Sequence, residues 1–242
     1  MAEQNSIQQN GSLERGLSGD FNIAIADVIH EAWSKVYGNK ATLWIAIALY
    51  MAVLFVIAFV FGLFEGPTAT PGAGASSPAD LFQQVLTTLI AGPLGAGLIF
   101  LGVAIASGTP ANPLSIFSWY AKTLPLFLTY LLMVLMIMLG TMLLVIPGIY
   151  LSIAYQLALP LVVDRDMGPW EALETSRKVM THHWFTFFGL WFIAALAMLL
   201  SSLLLGVPLI WVLPAIIIGI GIVYRDSIGA LQSSLEQVVG DS

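Results

Sequence analysis

The chain has 242 residues, of which 58% are hydrophobic and 9% are charged, with a mean hydropathy of +0.90 and a formal net charge of −6. A soluble domain usually carries about a quarter of charged residues, so this composition is typical of an integral membrane protein. The absence of cysteine excludes disulfides and thiolate chemistry, and the lack of a basic stripe argues against a nucleic-acid partner.

The first part of the chain is polar. Residues 1–21 contain no hydrophobic core of the kind that signal peptides have, so we expect no cleavable signal and a disordered cytoplasmic tail. The glycosylation sequon at Asn10 would have no role on that side of the membrane. Residues 22–225 are predicted to form a single membrane domain, followed by a cytoplasmic tail at residues 226–242.

Six segments are candidate membrane spans, since a crossing needs about 20 mostly apolar residues. They lie at about 42–64, 85–106, 124–146, 148–163, 185–205 and 207–224. The fourth and sixth are short, and they follow Pro147-Gly148 and Gly206-Val207-Pro208, which can break helices and turn the chain. The alternative is that each of these pairs of spans forms one long bent helix or a re-entrant hairpin. The Gly- and Pro-rich loop at 65–80 is expected to be a flexible connection.

The basic residues favour six spans over four. With six spans and the N-terminus inside, all eight fall on the cytoplasmic side, as the positive-inside rule requires. A four-span chain would place three of them outside, in the segment 164–178. We therefore predict an all-α, polytopic protein with six transmembrane helices in three hairpins. We expect it in the bacterial cytoplasmic membrane, with both termini in the cytoplasm.

Each predicted hairpin is preceded by a segment with the features of an amphipathic interfacial helix. The segments before spans one and five carry apolar side chains at helical spacing. They match at Glu31/Glu174 and Lys35/Lys178, and each Glu precedes its Lys by four residues, which is the favourable helical orientation. The segment before span three begins with a plausible N-cap at Asn112. We therefore expect three units, each an interfacial helix followed by a membrane hairpin.

Polar residues are scarce inside the predicted spans. No ionisable residue lies well inside any of them, which argues against an ion-coupled transporter. Gln156 is the one strongly polar residue near a span centre, with Ser152 and Tyr155 close by in sequence. An unpaired amide is costly in hydrocarbon, so Gln156 is expected to face protein or water. Either these three residues bind a solute, or Gln156 forms ordinary hydrogen bonds between helices.

The segment from Asp164 to Lys178 holds seven of the 22 charged residues of the chain. Paired acids could bind a metal or act as a general acid and base. Glu174, however, has basic residues at i+3 and i+4, which favours an ion-paired, solvated helix face. We expect no catalytic residue here, and we predict a surface that docks a partner or lipid headgroups, formed by Trp170, Glu171, Arg177 and Lys178.

No metal or cofactor is expected. The adjacent His182 and His183 point in different directions on a helix and do not form a metal-binding pair. Gly95-x-Gly97 is not a dinucleotide fingerprint, because the third glycine and the flanking strand are missing. Pairs of small residues in span two, such as Gly102/Ala106, favour packing within the chain first and dimerisation second.

The run from residue 146 to residue 190 carries a recognisable pattern. Its parts are Ile146-Pro147-Gly148, an apolar helix ending at Asp164, and then Gly168-Pro169, Glu171-Ala172-Leu173, Ser176 and Trp184. This pattern resembles the membrane domain joined to some glycerophosphoryl diester phosphodiesterases and the YciC-type family of prokaryotic integral membrane proteins. The resemblance implies a six-span helical domain. It implies no activity, because the catalytic module of the phosphodiesterases is a soluble α/β barrel that this chain cannot form.

Three hypotheses follow for function. The first is a non-enzymatic inner-membrane protein with a scaffold or accessory role in envelope or lipid physiology, in contact with the bilayer and with other membrane proteins or a second copy. The second is a transporter or permease for a small or lipid-like solute, favoured by the hairpin repeats, by Pro93 and Pro160, and by Gln156. The third is a membrane enzyme that uses the acids near Asp164.

Overall fold

The computed structural model describes residues 11–63 and 78–239. This part of the chain is helical and contains no strand. Its ten α-helices and one 3₁₀ helix (Pro113–Lys122) follow one another along the chain. The α-helices are α1 (Leu13–Ser18), α2 (Ile25–Gly62), α3 (Pro78–Ala106), α4 (Thr123–Leu143), α5 (Val145–Ala154), α6 (Ala158–Arg165), α7 (Pro169–His182), α8 (Trp184–Leu203), α9 (Leu209–Ser227) and α10 (Gln232–Val239).

Six of the helical segments are long and apolar enough to cross a membrane. They are α2, α3, α4 together with the 3₁₀ helix, α5 with α6, α8, and α9. This confirms the prediction of an all-α, multi-pass membrane protein with six spans.

The chain turns back at the two places where long bent helices were the alternative. Leu144 is extended between α4 and α5. An added Cβ on Gly140 would lie 3.3 Å from the Gly148 nitrogen, so the two helices run back along each other. Between α8 and α9, Leu205 and Gly206 both have positive φ angles, of 57° and 77°, a conformation that an α-helix cannot include. Spans three to six are therefore separate elements.

The first unit differs from the expected interfacial helix plus span. Residues 25–62 form one continuous helix of 38 residues, which is about 57 Å long at 1.5 Å per residue. The junction contains no proline, and Asn39 Nδ2 donates to the Lys35 carbonyl within the helix, so nothing interrupts it. At this length α2 exceeds the hydrocarbon thickness, which is about 30 Å, and its polar N-terminal half extends the span.

The other two interfacial segments are distinct helices: the 3₁₀ helix runs directly into α4, and α7 is separated from α8 by His183. The 3₁₀ helix begins where it was predicted, because the Asn112 side chain accepts a hydrogen bond from the Leu114 amide over 2.9 Å. Helix α7 begins at Pro169, which suits the first helical position because its missing N–H has no partner to lose there.

Two basic residues hold the C-terminal end of α3. Lys35 Nζ donates to the carbonyls of Ile105 and Ala106 at 3.2 and 3.0 Å. Arg225 donates to the same Ala106 carbonyl at 2.6 Å and forms two hydrogen bonds with the Glu31 carboxylate. Cations stabilise helix C-termini because the last carbonyls are unpaired and the helix dipole is negative there.

The returning helices of the other two hairpins are held in the same way. Lys122 Nζ donates to the Val163 carbonyl at 2.6 Å, near the end of α6. Arg165 donates to the carbonyls of Ile228 and Gly229 at 3.1 and 2.8 Å, just beyond α9. The C-terminal ends of α3, α6 and α9 therefore lie together with four of the basic residues at one end of the bundle, called the basic end below.

The segments flanking the membrane domain are more ordered than predicted. In place of a disordered tail, residues 13–18 form α1, and the Gly11 amide donates to the Arg225 carbonyl over 2.8 Å. Phe21 is buried against Phe187, with ring centroids 6.4 Å apart, so an apolar anchor within a polar stretch orders this part. In the predicted C-terminal tail, α10 packs on the 3₁₀ helix, and the Val238 carbonyl accepts from the Asn112 amide. Residues 1–10 with the sequon, residues 64–77 of the predicted loop, and residues 240–242 lie outside the described residues.

Candidate functional site

Asp164 is a structural carboxylate. It is only 3% exposed, and both of its carboxylate oxygens accept hydrogen bonds, from the Tyr224 hydroxyl at 2.7 Å and from the Leu231 amide at 3.0 Å. Its own carbonyl accepts from the Ser234 hydroxyl, and the Arg165 guanidinium lies 3.6 Å from the carboxylate. Asp164 thereby ties α9 and the start of α10 to α6, a role that sequence reasoning missed because the partners lie 60 to 70 residues further along the chain.

The other acids of the charged segment do not join Asp164. Asp166 ends α6 in a left-handed conformation and forms an ion pair with Lys122 at 2.7 Å. Glu171 is exposed on α7. Within the described ranges, no group of three or more metal-binding side chains occurs. The structure therefore distributes these acids among separate contacts, and it does not assemble the constellation on which the enzyme hypothesis rests.

Helix α7 has one buried and one exposed face. The buried face consists of Ala172, Leu173, Thr175, Ser176, Val179 and Met180. On the opposite face Trp170 is 59% exposed, and Glu171 and Lys178 are exposed as well. Three of the four residues predicted to form a docking surface are therefore accessible together; we call Trp170, Glu171 and Lys178 the α7 surface.

Arg177, the fourth predicted docking residue, is engaged within its own helix. Its guanidinium donates twice to the Glu174 carboxylate, over 2.8 and 2.7 Å, and Lys178 lies 3.6 Å from the same carboxylate. The hydrogen bond from Arg177 holds the pKa of Glu174 below its usual value, and the same bond raises the pKa of Arg177. The Glu174–Lys178 pairing expected from the spacing is present, with Arg177 as the closer partner.

A cavity of about 160 Å³ lies between α2, α8 and α9; we call it the lateral groove. Its floor is made by buried side chains such as Val28, Ala32 and Val212. Its rim carries Trp33 and Trp191, which are 42% and 50% exposed. Gly189 brings α8 close to α2, since an added Cβ there would lie 2.9 Å from Ile25 Cδ1, and the two helices line the groove on either side of its rim.

Gln156 lines this groove and, among the residues that the structure describes, is its one side chain with an amide group. The Gln156 side chain forms no hydrogen bond with any residue that the structure describes. The two residues grouped with it from sequence lie elsewhere. Tyr155 is buried in a cluster with Ala158 and Leu173, against which side chains of α4 such as Leu132 pack. Ser152 is exposed and donates to the Ile149 carbonyl within α5. The predicted three-residue binding site is therefore not assembled, and only Gln156 faces a cavity.

Gln156 reaches the groove because span four is broken around it. Residues 155–157 separate α5 from α6. The fully buried Ser176 of α7 bridges the break: its hydroxyl donates to the Ala154 carbonyl at 2.6 Å and accepts from the Leu157 amide at 3.1 Å. A side chain thus satisfies backbone groups that the broken helix leaves open, as irregular backbone at membrane depth requires.

Sequence reasoning missed the two tryptophans at the rim as site residues. Neither Trp33 nor Trp191 was assigned to a binding site from the sequence. The two tryptophans lie at one site because α2 and α8 come together in space. The sequence of either helix alone does not indicate this.

No family model matches the chain, and no solved structure matches it. The resemblance of residues 146–190 to the phosphodiesterase membrane domain and the YciC-type family therefore stays a prediction. The function has to be inferred from the α7 surface and the lateral groove.

Proposed function

We propose that this protein is a non-enzymatic membrane protein with a scaffold or accessory role in envelope or lipid physiology. The observation that carries the proposal is the α7 surface, which is held rigidly by the opposite, buried face of the same helix. Trp170 and Glu171 form no hydrogen bond or ion pair with other described residues, so both are available to a partner. The family resemblance of residues 146–190 agrees with this proposal, and we propose membership in that family on the same pattern.

The chemistry of the α7 surface suits a protein or headgroup partner. A tryptophan ring provides a large apolar area and one N–H donor, which makes it a frequent anchor at interfaces. Glu171 and Lys178 add charges of opposite sign to the same face of the helix, which favour a defined orientation over general attraction to an anionic membrane. The acids at positions 164, 166 and 174 support a non-catalytic role, because each is already held by a neighbouring cation or donor.

Site-specific cross-linking tests this role. A photo-reactive amino acid at position 170, in native membranes, is expected to form an adduct with a defined partner, and Glu171→Ala is expected to weaken it. The matched control is the same amino acid at Leu205, which is 94% exposed and lies between α8 and α9. Adducts no more abundant at position 170 than at position 205 would contradict a docking role.

We also propose the bacterial cytoplasmic membrane as the location, with both termini in the cytoplasm. The four cations at the basic end support this orientation, since basic residues are enriched on the cytoplasmic side. Because the chain has no cysteine, single-cysteine variants can be labelled directly. Gly168→Cys should react only when a reagent reaches the cytoplasm, and Val207→Cys should react from outside. Reaction of both from the same side would contradict six crossings.

A second candidate function is transport of a small or lipid-like solute. It is favoured by one observation, the break in span four that places Gln156 in the lateral groove. Discontinuous helices often form the solute sites of transporters. Flux in proteoliposomes that is lost on Gln156→Leu would favour transport, whereas flux that survives this change would remove the groove from the pathway.

A further inference from the structure

We propose that the lateral groove binds a neutral, membrane-dissolved amphiphile: a hydrocarbon body with one uncharged carbonyl or hydroxyl group that hydrogen-bonds to Gln156. The proposal rests on where the groove opens, on the chemistry of its lining, and on the unpaired amide at its inner wall. It does not depend on the α7 surface, because none of the residues of that surface line the groove.

The groove opens sideways, toward the bilayer. Its exposed rim residues, among them Ile29, Trp33, Trp191 and Ile193, belong to α2 and α8. Helix α8 is a candidate span, and few of its residues are buried within the protein, so most of its surface faces lipid. A ligand can therefore enter from the membrane without passing through water.

The lining favours a ligand without charge. No ionisable side chain among the described residues lines the groove. Arg225, two residues beyond the lining residue Val223, is held by Glu31, Asp226 and the Ala106 carbonyl. Burying a carboxylate or phosphate without a partner is strongly unfavourable, so fatty acids and phospholipid headgroups are poor occupants.

Gln156 adds a directional requirement. Its amide offers two donors and a carbonyl acceptor, and an unpaired amide at this depth is costly. Pockets for small molecules are mostly apolar, with a few polar groups that fix orientation, and the lateral groove has this composition. One carbonyl or hydroxyl group on the ligand would give the Gln156 amide a hydrogen-bond partner.

The size of the groove fits part of such a molecule. An engineered apolar protein cavity of roughly 150 Å³ stays dry and binds benzene, so a volume of about 160 Å³ holds a ring or a short run of methylene groups. Because the groove is open at its rim, the rest of the hydrocarbon body can remain among the lipid chains.

Photo-labelling of the full chain in lipid nanodiscs tests the proposal. The probe is a long-chain alkanol with a diazirine next to its hydroxyl group, and its charged counterpart is the alkanoic acid of the same length. We expect the alkanol to label α2, α8 and the segment around Gln156, in competition with unlabelled alkanol. The alkanoic acid should label these positions several-fold less.

Three variants define the site. Gln156→Leu removes the amide and should lower labelling about 5- to 10-fold, as expected for one hydrogen bond to a buried group. Gly219→Leu should abolish labelling, because a Cβ fits there, 4.0 Å from Val28 Cγ1, while the longer side chain fills the groove. Gln84→Leu makes the same chemical change as the first variant on the exposed surface of α3 and should have no effect.

Labelling without competition by unlabelled alkanol would overturn the proposal, as would equal labelling by the alkanoic acid or unchanged labelling in Gln156→Leu or Gly219→Leu. The competition experiment uses the unaltered protein, so the proposal remains testable if a variant fails to fold. None of these outcomes affects the cross-linking test of the α7 surface.

Discussion

Gly102 of α3 and Gly221 of α9 lie so close together that neither position can accommodate a side chain. An added Cβ on Gly102 would overlap the Ile217 carbonyl, and an added Cβ on Gly221 would overlap the Gly102 carbonyl. Small residues permit this approach of two helix backbones, which increases van der Waals contact between spans. The contact joins the second span to the sixth, and the small residues of span two are thereby used for packing within the chain.

Gly221→Val should destabilise the protein by about 1–3 kcal/mol or prevent folding, because the obstructing atoms are backbone and cannot move aside as a flexible side chain can. Thermal unfolding in detergent, followed by size-exclusion chromatography, measures the effect. Gly38→Val is the matched control, since an added Cβ at Gly38 in α2 meets nothing within 4 Å. Equal melting temperatures for the two variants would contradict the close packing of α3 and α9.

Arg225→Gln should also be destabilising, by about 2 kcal/mol, because it leaves the Glu31 carboxylate and the Ala106 carbonyl with weaker partners in a half-buried site. In a double-mutant cycle, Glu31→Gln combined with Arg225→Gln should cost less than the sum of the two single changes. The control is Arg15→Gln, whose side chain is 43% exposed. Strict additivity of the two changes would show that the pair contributes no coupling.

Ser176→Ala tests the bridge across the break in span four. The variant leaves the buried Ala154 carbonyl and Leu157 amide without partners, which should cost about 2 kcal/mol. Ser152→Ala removes an exposed hydroxyl that bonds only within its own helix, and it should be nearly neutral. The melting temperatures of the two variants measure the difference. An unchanged melting temperature for Ser176→Ala would mean that packing alone stabilises the break.

The Glu174–Arg177 pair predicts a pH dependence. Because the folded-state pKa of Glu174 is lowered, its contribution to stability is present above the unfolded-state pKa, which is the ordinary value of a glutamate. It disappears as the pH falls through the folded-state value. The difference in unfolding free energy between the unaltered protein and Glu174→Gln should be less than about 1 kcal/mol, since both side chains of the pair are partly exposed to water.

Unfolding curves recorded from pH 7 to pH 3 measure this difference for both proteins. It should shrink on acidification and also at high salt, which screens exposed charges. A difference that grows as the pH falls would have the wrong sign for a lowered pKa.

The number of spans could be predicted from sequence because hydropathy and the placement of basic residues are local properties that sum along the chain. The start of the 3₁₀ helix after Asn112 could also be predicted, because a capping residue is a local signal. The continuity of α2 could not be predicted, since nothing in the sequence pattern around Gly38 and Asn39 distinguishes a helix that bends at the membrane surface from one that continues. The ordered structure of residues 13–21 depends on the contact of Phe21 with Phe187, and these two residues are more than 160 positions apart in the sequence.

The candidate site was predictable only in part. Gln156 was conspicuous because an amide in an apolar span needs an explanation, but its neighbours in sequence are not its neighbours in space. A broken helix rotates successive side chains in directions that helical spacing does not describe, so Tyr155 faces α4 while Gln156 faces the groove. The structural role of Asp164 was hidden for a related reason, since its partners are a tyrosine and a backbone amide far along the chain.

The contacts of Asp164 also bear on the order in which the protein can be completed. Chains are synthesised from the N-terminus, so all three hairpins leave the ribosome before Leu231 and Ser234, which bond to Asp164. Arg165 likewise waits for the carbonyls of Ile228 and Gly229. A chain that stops before residue 228 would therefore contain all six spans but lack the contacts that join the end of α6 to the segment after α9.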